Sequence, residues 1–338
     1  MKNISLIYII LFFIFFKGFS QEDLIVSHSR FLQKENTSAF GINNMNKTGV
    51  LYNSLGLTGN SKIESRYFFG SISFDDKNFS IGLDIYSFTM NNVGLVNSKP
   101  RISYIYKVQL DNDLYFLPSI SLGLGSSRFD QSNLIFEDQL SLVSGYLQTE
   151  SQDPLYELLG SSSYIDFGAS FLIHSNNFLA GLSLKHLNQP NISYLQETEL
   201  KLPIKFSVQG AYEWDVNPYD RRWLPRYSSL LAFFNASKSG NDIEMYLSQE
   251  FQLGEVSIGL NQQFKKISDL SFTNVGISFA LAYENFEFGT LYNFPFQNPT
   301  NTSVYSPSTI EVFLTFDFSP YRRNKRGDYR RISIDNYY

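Results

Sequence analysis

Apolar and polar residues alternate along most of this chain with a period of two, and residues 161–194 show the unit in its simplest form. Two alternating runs meet at His174-Ser175-Asn176-Asn177, which has turn chemistry, so the stretch predicts a hairpin. In the second run Phe178, Ala180, Leu182 and Leu184 fall on one face and Leu179, Gly181, Ser183 and Lys185 on the other, because side chains alternate across a strand. One face is apolar and the other is small or polar. The same arrangement returns where Phe79, Ile81, Leu83 and Ile85 oppose Ser80, Gly82, Asp84 and Tyr86. It is cleanest at the end of the chain, where Ile310, Val312, Leu314, Phe316 and Phe318 oppose Glu311, Phe313, Thr315 and Asp317.

Extended along the whole sequence, the alternation predicts about 14 antiparallel strands, each near the length that crosses a bilayer at a tilt. They fall at 48–57, 66–74, 79–90, 102–108, 114–127, the two runs of the hairpin, 204–216, 227–236, 243–253, 256–264, 274–283, 286–293 and 309–318. Polar loops are expected at 91–100, 128–160 and 187–203, the second of them long enough to suggest function. Links after even-numbered strands are mostly tight and links after odd-numbered strands mostly longer. That parity suits an outer-membrane barrel with short periplasmic turns and both termini inside. The 217–225 link is too long for its side, and the links near Asn60 and Gly240 are too short for theirs.

The start of the chain says how such a protein reaches a membrane. Met1-Lys2-Asn3, an apolar block from Ile4 to Phe16, and Gly18-Phe19-Ser20 before Gln21 predict a secretory signal peptide over 1–20. Beyond it no apolar run approaches the roughly 20 residues of a membrane helix, so a membrane-embedded form has to be a closed β-barrel. The expected division is a signal peptide (1–20), an N-terminal lead-in (21–47), an outer-membrane barrel (48–318) and a basic periplasmic tail (319–338). With 22 Tyr and 32 Phe the chain has material for aromatic girdles at the membrane interfaces. It has no Cys, so disulfides contribute nothing to the fold. Without Lys2 and Lys17 the formal charge is about −7, which with export argues against nucleic acid as a partner.

Candidate chemistry is sparse. His28, His174 and His186 share no metal-binding spacing, no G-x-S-x-G is present, and no cofactor motif is found. His186 and Asn188 could suggest part of a hydrolase set, but no activated serine accompanies them; a lipid hydrolase would require one. Asp84, Lys107, Lys185, Glu244, Glu250, Glu311 and Asp317 fall on the polar side of their strands, where they could select a solute or fill a plugged lumen. Leu187, Asn188, Gln189, Pro190 and Asn191 are the candidate partner-binding rim, with Gln189 expected to be extended because it precedes a proline. Arg322, Arg323, Lys325, Arg326, Arg330 and Arg331 form the strongly basic stretch, a candidate periplasmic docking set or a tail held near anionic head groups.

The segments 78–94, 102–125 and 177–194, with the opening Gln21-Glu22-Asp23 and residues 27–41, resemble the PorP/SprF family of type IX secretion system outer-membrane proteins of Bacteroidetes. In the opening motif, close to N-P-A-Y-x-G in the family, Asn36 and Gly41 match and Thr37 stands in the place of the proline. The resemblance covers about residues 21 to 318; the basic extension beyond Phe318 exceeds it. It implies a non-catalytic barrel of the fatty-acid-transporter type. Such a barrel helps secrete or retain a cognate surface protein, commonly a large adhesin with its own C-terminal sorting domain, and is associated with gliding motility. It also implies periplasmic type IX or wall-anchoring components as partners, with outer-membrane lipid around the barrel. The alternative expectation is a passive channel for small or hydrophobic solutes.

Overall fold

The computed structural model describes residues 24–56, 63–91, 94–129, 161–194, 199–220, 222–266, 270–296, 307–319, 328–332 and 334, and a single antiparallel sheet runs through them. Its strands are β1 (Lys47–Leu55), β2 (Ile63–Phe74), β3 (Phe79–Met90), β4 (Leu95–Tyr106), β5 (Val108–Asp111), β6 (Leu114–Phe129), β7 (Ser161–Ser175) and β8 (Phe178–Lys185). They continue as β9 (Lys205–Asp215), β10 (Ser229–Ser239), β11 (Asp242–Leu253), β12 (Val256–Lys266), β13 (Leu270–Tyr283), β14 (Phe286–Pro295) and β15 (Thr309–Asp317). Each pairs with its chain neighbour, and β1 pairs with β15 from Lys47↔Asp317 to Leu55↔Thr309, which closes the sheet into a barrel. Both β4 and β5 pair with β6 and occupy one position in the wall, so the barrel has 14 strands. Each of the expected strands lies on one of these positions.

Prolines explain where the pattern departs from the expectation. The register of Ile105↔Ser119 and Val108↔Phe116 puts Tyr106 across from Pro118, which has no N–H to give. The pairing with β6 breaks there, while on the other edge Lys107 N donates to Asn78 O at 2.8 Å and extends the β3–β4 ladder. Pro100, expected in a polar loop over 91–100, lies inside β4 opposite Ile85 of β3, and the β4–β6 pairing skips Lys99 and Pro100. That loop is therefore shorter than expected, with β4 beginning at Leu95.

The two faces of the wall divide as the alternation requires. Ile81, Leu83, Ile85, Ile102, Leu122, Ile258, Val312 and Leu314 are exposed on the outside. At the end carrying the tight turns this belt becomes aromatic: Phe74, Phe79 and Tyr104 stack in series, Tyr212 meets Trp214, and Phe286 meets Phe316 and, through it, Phe318. Such an outer surface suits lipid flanked by an interfacial girdle. The inner face is lined by small polar side chains, among them Ser65, Ser71, Ser80, Ser119, Ser170, Ser207, Asn235 and Ser278, all buried.

They are buried because the barrel is filled. Residues 24–46, expected as a polar lead-in, run through the lumen as a turn, the short helix α1 (Leu32–Glu35) and a 3-10 segment (Thr37–Asn44). Ile25, Phe31 and Phe40 are among the most buried side chains and pack with Leu51, Tyr67, Phe69, Ile105, Leu117, Leu172 and Phe313 of the wall.

Leu83 stands mid-strand on the outer face. Leu83→Arg should destabilise the barrel in a bilayer by about 2–4 kcal/mol, the cost of a cation near the midplane, read as a lower urea midpoint in liposomes. An unchanged midpoint would place this face away from lipid.

Candidate functional site

The lumen is where buried chemistry concentrates, and its anchor points follow the N-terminal segment in order. Glu311, fully buried on β15, accepts from Val26 N at 2.6 Å, Ser27 N at 3.1 Å, the Ser27 hydroxyl and Asn53 Nδ2 at 2.9 Å. Several donors on one carboxylate are what a charge in such surroundings requires. Arg30 follows, ion-paired with Glu250 and Glu287 and with its guanidinium 5.0 Å from the centre of the Phe313 ring. Phe31 meets Tyr67, Phe69 and Phe313 edge to face.

The next turn is held by cations. Arg101 Nη2 donates to Gln33 O and Lys34 O at 3.3 and 3.0 Å while the same guanidinium takes Asp84 in a fork at 2.9 and 2.8 Å. Lys185 Nζ donates to Lys34 O at 2.9 Å, and Lys185 and Lys205 both lie 3.2 Å from Glu35. Asn36 Nδ2 then reaches Phe171 O, Leu182 O and Gln209 Oε1, and its Oδ1 accepts from Ser38 N. Thr37 Oγ1 lies 2.7 Å from Ser119 Oγ and 2.9 Å from Ser170 Oγ.

Glycine makes room for this fit at two positions in the wall. A Cβ on Gly82 would sit 2.2 Å from the Phe40 ring, and one on Gly181 would sit 2.6 Å from Asn36 Nδ2. The residues on which the opening-motif resemblance rests, Asn36 and Gly41, are thus the core of a lumenal plug.

The tail enters from the turn end. Arg331 Nη2 lies 2.8 Å from Glu250 and 3.5 Å from Glu287, the same carboxylates that hold Arg30. Ile332 N donates to Glu213 Oε2 at 2.8 Å, Ile332 O lies 2.6 Å from His174 Nε2, and Ile334 N donates to Asn176 Oδ1 at 3.2 Å. Arg330 forks onto Asp328 at 3.0 and 2.9 Å, a contact that raises its pKa. A cavity of about 140 Å³ remains between plug and tail, lined by Leu32, Ile42, Leu231, Phe233, Tyr329 and Ile332 among others. Of the basic residues singled out in the tail, Arg330 and Arg331 are engaged with the chain's own acids; Arg322, Arg323, Lys325 and Arg326 lie outside the described residues.

At the opposite end the rim candidates are ordered by the wall. Asn188 bonds to the edge of β7 beyond the end of β8, accepting from Phe167 N at 3.2 Å and donating to Ile165 O at 2.7 Å. Leu187, Asn188, Gln189 and Asn191 are exposed and Pro190 is buried. Asn191 bridges to Lys201, and Ile192 N and Leu202 N bond to Leu200 O and Pro190 O, so this loop folds back on itself. Gln189 is not extended: its φ is 45°, beside His186 at 59°, and its N–H donates to His186 O at 3.0 Å. The tight turn, rather than the following proline, sets its backbone. The three histidines lie apart, His28 against the Tyr246 ring, His174 on the tail and His186 Nδ1 2.9 Å from Asp166 Oδ1. Among the described residues no group of three potential ligands could hold a metal ion.

Against known proteins, the family model described as type IX secretion system membrane protein PorP/SprF matches residues 36–316. No curated protein matches the chain. Among solved structures, the outer membrane protein Omp33 of Acinetobacter baumannii is 7% identical, with 82% of this chain and 100% of that one covered at a TM-score of 0.44. A mutant of the monoaromatic hydrocarbon channel TodX is 10% identical over 80% of this chain and 88% of its own, with a TM-score of 0.45. The KdgM porin is 9% identical over 80% and 99%, with a TM-score of 0.36.

Two substitutions test the plug. Gly82→Leu should displace Phe40 and leave the wall intact, seen as retained heat-modifiable migration together with new ion conductance in planar bilayers; conductance equal to that of the parent would mean the segment is not a seal. Glu250→Ala leaves Arg30, Arg331 and Lys47 to share Glu287 and should cost about 3–5 kcal/mol of unfolding free energy, as breaking a buried ion pair does. A loss below about 1 kcal/mol, the scale of a surface pair, would show that water already screens the cluster.

Proposed function

The chain belongs to the PorP/SprF family of type IX secretion system membrane proteins, and from that premise we propose that this outer-membrane barrel is a non-catalytic partner in secretion. Its role is to bind a cognate exported surface protein, through that protein's C-terminal sorting domain, and to help secrete or retain it. The observation that carries this reading is the filled lumen. A conduit for solutes needs an open path, whereas here residues 24–46 pack across the barrel from Glu311 to Phe40. The passive-channel reading would require that packing to be undone in each transport cycle. Recognition therefore falls to the rims.

On the loop end we assign contact with the exported protein to the rim at Leu187, Asn188, Gln189, Pro190 and Asn191, which offers exposed groups on a fixed backbone. A preordered loop loses little entropy on binding. On the turn end we assign contact with periplasmic or wall-anchoring components to Arg322, Arg323, Lys325 and Arg326. Residues 1–20 are assigned to export as a signal peptide.

A tagged protein drawn from native outer membranes in mild detergent should bring down one large exported polypeptide in near-stoichiometric amount, identified by mass spectrometry. Replacing residues 187–191 by a Gly/Ser segment should remove it while the barrel stays assembled. A well-expressed barrel that purifies alone would count against the reading.

A further inference from the structure

The cavity of about 140 Å³ between plug and tail lies against an apolar patch of the inner wall. Leu179, Ala211 and Phe233 stand level with one another on β8, β9 and β10, in the registers Leu179↔Ala211 and Phe233↔Ala211, and all three line it. One step toward the loop end the inward row is Gly181, Gln209 and Asn235, where Asn36 of the plug is seated. One step toward the turn end it is Glu213 and Leu231, where Glu213 receives Ile332 N of the tail. The apolar row therefore lies between the two seats. Leu32 and Ile42 of the plug and Ile332 of the tail complete the apolar side, and the space in front of it stays unfilled.

Across the 14-strand ring, on β14, β15 and β1, the lining is polar, and its charges answer one another. Arg30, Lys47 and Arg331 converge on Glu287, Arg330 pairs with Asp328, and Asp317 accepts from Ser319 N. A charged ligand would have to part buried pairs, whereas an uncharged one leaves them whole. Size narrows the class further. Protein interiors hold few voids larger than a water, and an apolar cavity of about 150 Å³ takes up a single aromatic ring. The space here is of that order. It reaches the turn-end rim at Glu284 and Asn285, between β13 and β14, which gives a way in.

We propose that this cavity is a binding site for a small, uncharged, largely apolar molecule of about the size of one aromatic ring, seated against Leu179, Ala211, Leu231 and Phe233. The site is independent of whether the rim binds an exported protein. A molecule held there touches plug and tail together, so its binding also fastens the two.

The test is fluorine NMR of the full-length protein in detergent, with fluorobenzene as the probe and protein-free micelles as the reference. A saturable signal distinct from that of the micelle is expected. The same ring with a carboxylate, para-fluorobenzoate, should bind roughly tenfold more weakly or worse, since its charge would be buried among pairs already made. Ala211→Trp and the smaller Leu179→Phe fill the space and should each weaken fluorobenzene binding about tenfold or more, as the loss of most of the apolar contact requires. Gly210→Leu, on the outer face of the same strand as Ala211, where an added Cβ meets nothing within 4 Å, should leave it unchanged. Heat-modifiable migration verifies that each variant is folded. No saturable signal, unchanged affinity in the folded filling variants, or para-fluorobenzoate bound as tightly as fluorobenzene overturns the proposal.

Discussion

Lipid offers no hydrogen bonds, so a sheet within it can have no edge. The pairing of β1 with β15 meets that demand here, and most other features follow from it. Closing 14 strands encloses more space than small inward side chains can fill, and the wall is lined largely by Ser, Asn, Thr and Gly. The chain supplies the filling from its own ends. Residues 24–46 occupy the middle and residues 328–332 and 334 the turn-end mouth, so the barrel is a wall and contents cut from one sequence.

Charge holds the contents in place. In a poorly hydrated interior an ion pair stabilises only when geometry is good and remaining lone pairs are satisfied. The charged cluster meets that condition by setting Arg30 and Arg331, one cation from each end of the chain, with Lys47 of β1 beside them, against Glu250 and Glu287. The two ends are thereby coupled. Withdrawing the tail leaves the two acids to Arg30 and Lys47, and withdrawing the plug leaves them to Arg331 and Lys47. Whatever grips the tail from the turn end acts on the plug through these shared acids.

The wall was legible because its signal is local. A period of two read over Phe79 to Tyr86 or Ile310 to Phe318 needs no knowledge of distant residues, and burial follows it residue by residue. Strand ends were less legible where prolines intervene, since Pro100 is tolerated only because the β4–β6 ladder is interrupted there, a fact about β6 rather than about Pro100. The plug left almost no local trace. Residues 24–46 have no strand or long-helix period, and Lys34, Glu35 and Asn36 look like surface residues until Lys185, Lys205, Arg101 and Gln209 are brought around them. Apolar residues such as Leu24, Ile25, Val26, Phe31, Leu32, Phe40 and Ile42 in a stretch without a regular period, and a motif with Asn36 and Gly41, were the available signs. The glutamates that receive Arg331 could be placed on inward faces from sequence, but their partner could not, because it comes from a tail beyond the last strand.

The position of Glu311 sets an order of events. It stands directly across the seam from Asn53, one on the last strand and one on the first, and together they grip residues 24 to 27. Until the final strand meets the first, that grip has only half its groups, and the start of the N-terminal segment has no complete seat. Residues 24 to 27 are therefore fully seated only in a closed ring, and their seat is itself a mark of closure.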